Sequence, residues 1–359
     1  MKKSFLFLLL SCSFLNAATP IKNISEIATG DYFILLLKQN KNVLALGDNK
    51  YGELGNGESG VGLEEENPVT VVSPSKIGVL TNIKAIAGGS YHSSALDYAG
   101  NVYSWGSNSD GQLGDNTYNG SKFPVQVVSL TNIKAIACGA YYSLALHDSG
   151  NVYSWGGNFF GQLGNGGGGP GEKSKVPVQV VGEGSSGFIK AIAAGWYHSL
   201  ALYDNGDSDV KLYSWGDNRY GQLGNGGGGP GEKSTIPVQV VDLTNIKSMA
   251  GGEGHSLALD DNGRVYSWGW NSFGQLGIGS EIQESSTPIL IESLDNIIAV
   301  SADTRYSLAL RNDGTVWFWG SLINSSGSAL IKESKVPIQL TEEMMQYIPK
   351  EFFSPKVFY

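Results

Sequence analysis

Tryptophans stand at positions 105, 155, 215, 268 and 319, so the steps between them are 50, 60, 53 and 51. Each lies in a copy of one short phrase. Val102-Tyr103-Ser104-Trp105-Gly106 recurs as Val152–Gly156, Leu212–Gly216 and Val265–Gly269, each followed by Gly-Gln-Leu-Gly at 111–114, 161–164, 221–224 and 274–277. Degenerate copies open and close the series at Val43–Gly47, with Gly52-Glu53-Leu54-Gly55, and at Val316–Gly320. A period of this size means stacked or circularly arranged units. It overrides the length prior, by which 359 residues would be two or three domains, because one array of short units can form a single domain.

Each unit reads as four short strands. The sequence offers Pro-Val-Gln-Val-Val (124–128), Ile-Lys-Ala-Ile-Ala (133–137), His-Ser-Leu-Ala-Leu (198–202) and Val-Tyr-Ser-Trp-Gly (152–156), with counterparts along the chain. All are rich in β-branched or aromatic residues and bounded by Gly, Asn, Asp or Pro. Asp148-Ser149-Gly150-Asn151 and Asp261-Asn262-Gly263 are hairpin turns whose glycine supplies a positive φ. The 50 glycines recur at repeat-locked positions, so they mark turns and not disorder. A sheet of four short strands cannot bury both faces alone, so the units are expected to pack face to face around a ring. The expected fold is all-β: a single β-propeller of about six four-stranded blades spanning residues 24–340. Six strands of the Ile-Lys-Ala type begin at Ile24, Ile83, Ile133, Ile189, Ile246 and Ile297, and six of the Pro-Val type begin at Pro68, Pro124, Pro177, Pro237, Pro288 and Pro337. The first unit has no Pro-Val strand before it and the last leaves one over. Pro337–Leu340 is therefore expected to pair with the N-terminal blade and close the ring.

Residues 1–18 read as a targeting segment: Lys2 and Lys3, then an apolar run from Phe5 to Leu15, then a small residue at Ala17. Leu9-Leu10-Ser11-Cys12 offers a rival reading as a lipoprotein signal, with Cys12 lipidated and the membrane reached only through it. Either way the product is expected to be exported. Cys138 is the one cysteine in the array, so no intramolecular disulfide can form there. The formal charge of −9 becomes −11 without Lys2 and Lys3, and no basic stripe is visible, which argues against nucleic acid as partner. The tail, 341–359, carries Phe352, Phe353, Phe358 and Tyr359 and is expected to pack outside the ring, and the chain is expected to be a monomer.

The pattern G-x-x-H-S-x-A-L followed by G-x-V-Y-S-W-G-x-N-x-x-G-Q-L-G resembles the regulator of chromosome condensation repeat family. The resemblance runs from about Ile24 to Leu340, with four nearly intact copies. It implies a propeller used as a binding platform. The family's eukaryotic founder is a seven-bladed nucleotide exchange factor for a nuclear GTPase and binds chromatin; secreted bacterial relatives include an inhibitor that caps β-lactamases. Six units stand here where seven are usual, the founder's basic tail is missing, and the charge is acidic. Exchange activity is therefore not expected.

Motifs that could carry chemistry have plainer readings. His92, His198 and His255 share one repeat position, which Tyr142 and Tyr306 fill elsewhere; on separate blades they cannot converge on a metal, and scaffold duty is expected. GNGGGGPGEKS, at 164–174 and 224–234, lacks the helix that a phosphate loop needs. Asp204–Asp209 gathers three carboxylates that could take calcium, but no closing bidentate acid follows. No nucleophile–base pair stands out, and neither a metal nor a cofactor is expected. What the scaffold does not dictate is the loop sequence after each second strand and after each Trp-Gly. Those positions carry Tyr91, Tyr141, Trp196, Tyr197 and Trp270, which a ring would gather at one mouth as a protein-binding surface. The expected function is a non-catalytic exported scaffold. Alternatives are an inhibitor of a secreted or periplasmic enzyme, and a glycan-acting enzyme.

Overall fold

A computed structural model describes residues 21–341, apart from 74, 76–77, 183–188, 205, 207–209, 280 and 324–328. The chain forms six antiparallel four-stranded sheets arranged as the blades of a β-propeller, and the described residues contain no helix. The inner strands are Ile24–Thr29, Ile83–Gly88, Ile133–Cys138, Ile189–Ala194, Ile246–Gly251 and Ile297–Ala302. They surround a central cavity of about 370 Å³ in whose wall alanine is the commonest residue, with Lys84, Lys134 and Lys190 along it. Small residues are required here because six strands converge on one axis.

The expected closure of the ring does not occur. Each blade takes its outer strand from the sequence that follows its own third strand. Tyr153 pairs with Gln179 in the third blade, and Ala45 with Val69 in the first. Pro337–Leu340, expected beside Ile24–Ile27, instead belongs to the sixth blade, where Trp317 pairs with Gln339 and Phe318 with Ile338. The reason lies in the connection after each third strand, which returns the chain alongside the strand it has just left: through Gly-Gln-Leu-Gly or Gly-Glu-Leu-Gly in the first five blades, and in the sixth by Ala329–Gln339 pairing back on Val316–Ile323. The end of each outer strand is tied back to its own blade, Val127 N to Val102 O (2.9 Å) and Val128 N to Gly114 O (3.0 Å). The chain then enters the next inner strand through a tight turn with Asn132 at φ 54°.

Blade faces alternate in kind. One face presents leucine and valine, the other alanine and tryptophan, and the clusters run across the boundaries: Leu200, Leu202, Leu212 and Val240 pack on Ala258 and Trp268 of the following blade. The five repeat tryptophans are fully buried. Each indole N–H donates to a carbonyl of the preceding blade: Trp105 to Glu53 O (2.6 Å), Trp155 to Gln112 O, Trp215 to Gln162 O and Trp268 to Gln222 O (2.9 Å each), and Trp319 to Gln275 O (2.8 Å). The same carbonyls accept Ser93, Ser143, Ser199, Ser256 and Ser307 hydroxyls. In the other direction His92, His198 and His255 place Nε2 2.8–2.9 Å from Ser143, Ser256 and Ser307 Oγ of the next blade. These histidines are wholly buried, which holds His92 neutral by pressing its pKa to about 3. Five boundaries are thus interlocked by buried hydrogen bonds on top of apolar packing.

The boundary between the sixth and first blades is built differently. Register places Ile34 opposite Leu46, as Ser199 stands opposite Trp215, so the first blade has apolar residues at both interlocking positions. The sixth blade continues from Gly320 as Ser321-Leu322-Ile323, without a Gly-Gln-Leu-Gly loop. Tyr306 hydrogen-bonds Asp303 of its own blade at 3.2 Å, whereas Tyr142 reaches His198 O of the next blade at 2.5 Å. The two edges carry separate apolar clusters, Ile24, Ile27, Ile34 and Leu36 on one side and Leu310, Val316, Phe318 and Leu340 on the other.

Candidate functional site

The loops at the mouth reached by the C-terminal ends of the inner strands are rigid because their own side chains satisfy their backbone. Asn158 Oδ1 accepts Leu163 N–H (3.0 Å) while its Nδ2 donates to Asn165 Oδ1 (3.1 Å). Gln162 Oε1 accepts Phe160 N–H (2.8 Å). Asn218 with Gln222 and Asn271 with Gln275 repeat the device for Tyr220 and Phe273. The glutamine therefore orients the residue two positions before it. That residue meets the loop of the next blade at all five interlocked boundaries. Tyr51 packs on Tyr91 (ring centroids 5.5 Å) and Phe160 on Tyr197 (5.0 Å). Asp110 lies beside Tyr141, Tyr220 lies over Gly254, and Phe273 lies under Arg305. A Cβ on Gly254 would stand 3.0 Å from the Tyr220 ring, so the missing side chain makes room for it.

The outcome is an aromatic and cationic arc crossing all six blades. Tyr91, Tyr141 and Tyr197 form a ladder with centroid separations of 5.5 and 6.1 Å, and Trp196 stands edge-on to Tyr197 at 6.3 Å. Arg219 Cζ lies 4.4 Å from the Phe160 centroid and 5.9 Å from Tyr220, joining that ladder to the stacked pair Tyr220–Trp270 (5.2 Å). Arg305 continues it, 4.4 Å from Phe273 and 5.8 Å from Trp270. The five residues expected at the mouth, Tyr91, Tyr141, Trp196, Tyr197 and Trp270, all lie on this face and are half-buried. Four of them touch one another in sequence; Trp270 belongs to a second cluster, linked to the first through Tyr220 and Arg219. Tyr51, Phe160, Arg219, Tyr220 and Phe273 complete the arc and were not singled out from sequence. The signal for them was the variation between copies inside Asn-x-x-Gly.

Electrostatics sharpen the site. Burial raises the Tyr91, Tyr141 and Tyr197 phenols, and the charge of Asp31 adds to the rise at all three. Burial also raises Glu253, offset by Arg305 at 3.7 Å. Arg219 is held charged by Asp217, to which it donates from Nε and one terminal nitrogen at 2.9 Å each. Among the described residues no group of three His, Cys, Asp or Glu side chains could hold a metal ion. Of the Asp204–Asp209 turn, 205 and 207–209 lie outside the described residues, as do the segment 1–18 and the tail beyond 341.

Comparison with known proteins agrees with this architecture. The family model described as the RCC1-like domain matches residues 11–346. The ultraviolet-B receptor UVR8 of Arabidopsis thaliana is 32% identical over 303 residues, which is 83% of this chain and 64% of that protein. The probable E3 ubiquitin-protein ligase HERC6 of Homo sapiens is 34% identical over 316 residues, 87% of this chain and 24% of that one. The chain thus spans less than two thirds of the length of these relatives. Among solved structures, Prp20p of Saccharomyces cerevisiae, described with its binding properties to Gsp1p and histones, superposes with a TM-score of 0.74 at 25% identity, covering 88% of this chain and 76% of its own. Human WBSCR16 shares the fold, with a TM-score of 0.74 at 24% identity over 90% of this chain and 83% of its own. With the repeat, the interlocked blades and the family match in agreement, the chain belongs to the RCC1-like domain family.

Proposed function

We propose that this chain is a non-catalytic protein-binding platform that works through the aromatic arc. The carrying observation is a row of rings, exposed at Tyr51 and half-buried from Tyr91 to Trp270, held by loops whose backbone is already satisfied. Ordering such side chains on binding costs little because they are ordered beforehand, and Trp, Tyr and Arg are the residues on which interface energy concentrates. The binding of proteins by Prp20p, which shares the fold and a quarter of the aligned residues, supports the reading. Export is proposed with it, on the strength of the N-terminal segment alone.

The test is affinity capture with the intact chain and with Trp196→Ala combined with Trp270→Ala. The double variant is expected to weaken partner binding by at least ~10-fold, the loss of one hot spot or more. Its Tm is expected to stay within about 5 °C of the parent, since both rings are half-buried at the mouth and neither belongs to the buried apolar core between the blades. Equal capture by parent and variant removes the arc from the interface. Turnover of members of a glycan panel by the purified chain would replace the platform reading with an enzymatic one.

A further inference from the structure

The channel along the axis has two unlike ends. The aromatic arc stands where the C-terminal ends of the inner strands lie, and lysines rim the opposite end. Every inner strand carries a bulge after its first residue. In three neighbouring blades the pairing passes from Ile83 to Ala85, from Ile133 to Ala135 and from Ile189 to Ala191. The residue left over is Lys84, Lys134 or Lys190, and a bulge re-aims the side chain it carries. All three line the central cavity of about 370 Å³. Lys247 stands at the same bulge of the fifth blade, but it is exposed and lies outside the cavity wall. In a chain of formal charge −9, three lysines around one opening reverse the local sign. The fold leaves much of that charge unspent. Lys134 Nζ reaches the Ile189 carbonyl at 3.4 Å, and Lys190 Nζ stands 3.6 Å from Asp204 Oδ2. Among the described residues Lys84 has no ion pair and no side-chain hydrogen bond.

The wall adds donors from the backbone. Each inner strand is a sheet edge, bonded on one side only. In an antiparallel ladder alternate residues turn their N–H and C=O away from the partner strand. Gly139 N–H donates to Tyr142 O (2.9 Å) and Gly195 N–H to His198 O (2.8 Å). Three residues back along each strand, the Ile136 and Ile192 amides therefore face the axis. Ile86 holds the same place in the second blade, and its amide shows what such a donor takes: it donates to Glu26 Oε1 at 3.1 Å. A carboxylate of the chain itself is thus bound by an axis-facing amide, on the wall that the lysines share.

We propose that Lys84, Lys134 and Lys190, with the Ile136 and Ile192 amides, form a site for a carboxylate-bearing ligand that enters the channel from the end opposite the aromatic arc. Ammonium and amide groups only donate, so ionised oxygens satisfy them and neutral amide or apolar groups do not. The carboxylates belong to a small di- or tricarboxylic acid held whole in the cavity, or to acidic side chains of a protein segment. The site is independent of the platform reading, which concerns the other face.

The experiment is calorimetric titration of the full chain with citrate, with the blocked peptide Gly-Glu-Gly-Glu-Gly and with its neutral counterpart Gly-Gln-Gly-Gln-Gly. Citrate or the glutamate peptide is expected to bind, and the glutamine peptide is not. Lys84→Gln with Lys134→Gln is expected to weaken that binding at least ~10-fold, because charge-assisted hydrogen bonds are lost. Lys247→Gln is expected to change it by less than ~2-fold, as for any exposed charge outside the site. A thermal melt of each variant confirms that it is folded. Tighter binding of citrate assigns the site to a free small acid, and tighter binding of the glutamate peptide assigns it to an acidic segment. Binding of neither, equal binding of the glutamate and glutamine peptides, or a loss from Lys247→Gln as large as that of the double variant would overturn the proposal. Trp196→Ala combined with Trp270→Ala is expected to leave carboxylate binding unchanged, so this site and the platform stand or fall separately.

Discussion

Glu53 occupies the position that Gln112, Gln162, Gln222 and Gln275 hold in other copies, and it performs the same turn duty. Its Oε2 accepts Tyr51 N–H at 2.8 Å, and its backbone carbonyl receives both Ser93 and Trp105. The difference is a titratable group that is 1% exposed. Burial lifts its pKa from 4.5 to about 7, against backbone hydrogen bonds that pull it down. Between those two values the folded chain holds a proton that the unfolded chain has released, so stability falls as pH rises through this window. Glu53→Gln is expected to raise Tm at pH 8, by the equivalent of up to ~3 kcal/mol, and to leave it nearly unchanged at pH 4. Buried His92 works in the opposite sense. Its folded pKa near 3 lies below the ordinary 6.5, so its contribution is complete above 6.5 and is lost as pH falls toward 3. Thermal melts across pH 4 to 8 on the parent and the Glu53 variant separate the two limbs: a variant that keeps the alkaline decline would show that Glu53 ionises without cost.

At the scale of the element, the strand and its following turn are fitted to the neighbouring blade more closely than any composition reveals. Gly164 sits at φ +64° with the Trp215 Nε1 only 2.7 Å from where a Cβ would be, and that indole is fixed by its bond to Gln162 O. Gly166 has φ +87° and open space around it. Gly166→Ala is therefore expected to cost about 1 kcal/mol, for backbone strain alone, and Gly164→Ala about 3 kcal/mol or more, since the tryptophan must move as well. Denaturant melts measure both; equal costs would mean that the indole yields freely. The strands, their number and the mouth were legible in the sequence because each copy repeats the signal. The unit boundary was not. A tandem repeat can be cut at any phase with the same count of strands, so assigning Pro337–Leu340 to the first blade or the sixth depends on whether the chain turns back on the strand it has just left, as it does from Val316–Ile323 to Ala329–Gln339. In the same way Tyr91 and Trp196 could be placed on one face from their position after each second strand. That Phe160, Tyr220 and Phe273 reach across to the following blade is a consequence of glutamine-held loop geometry, which no single copy displays.

For the whole molecule the consequential fact is that five boundaries share one interlock and the sixth has another construction. Every sheet has four antiparallel strands, and the sixth has the longest outer pair, Val316–Ile323 with Ala329–Gln339, so backbone pairing alone gives no reason for the sixth blade to open first. The side chains between the blades do. Trp215, Ser199 and Tyr142 bind the third and fourth blades through buried hydrogen bonds, whereas the first blade offers Ile34, Leu36 and Leu46 toward the sixth. Apolar contact of this sort is non-directional, and an array coupled by nearest-neighbour terms opens first at its weakest term. Amides in the second strands Phe33–Lys38 and Tyr306–Arg311 are accordingly expected to exchange with solvent sooner than those of Tyr142–His147 and His198–Tyr203, at matched pH and temperature. Leu46→Trp alone is expected not to slow them, because the sixth blade carries no Gly-Gln-Leu-Gly carbonyl in its described residues to receive the indole N–H. Trp215→Phe, which removes one bond from an interlocked boundary, is expected to bring exchange in the fourth blade toward that of the first. Uniform protection around all six blades, or a fourth blade unmoved by that substitution, would show that apolar packing and not the interlock sets the order in which the ring opens.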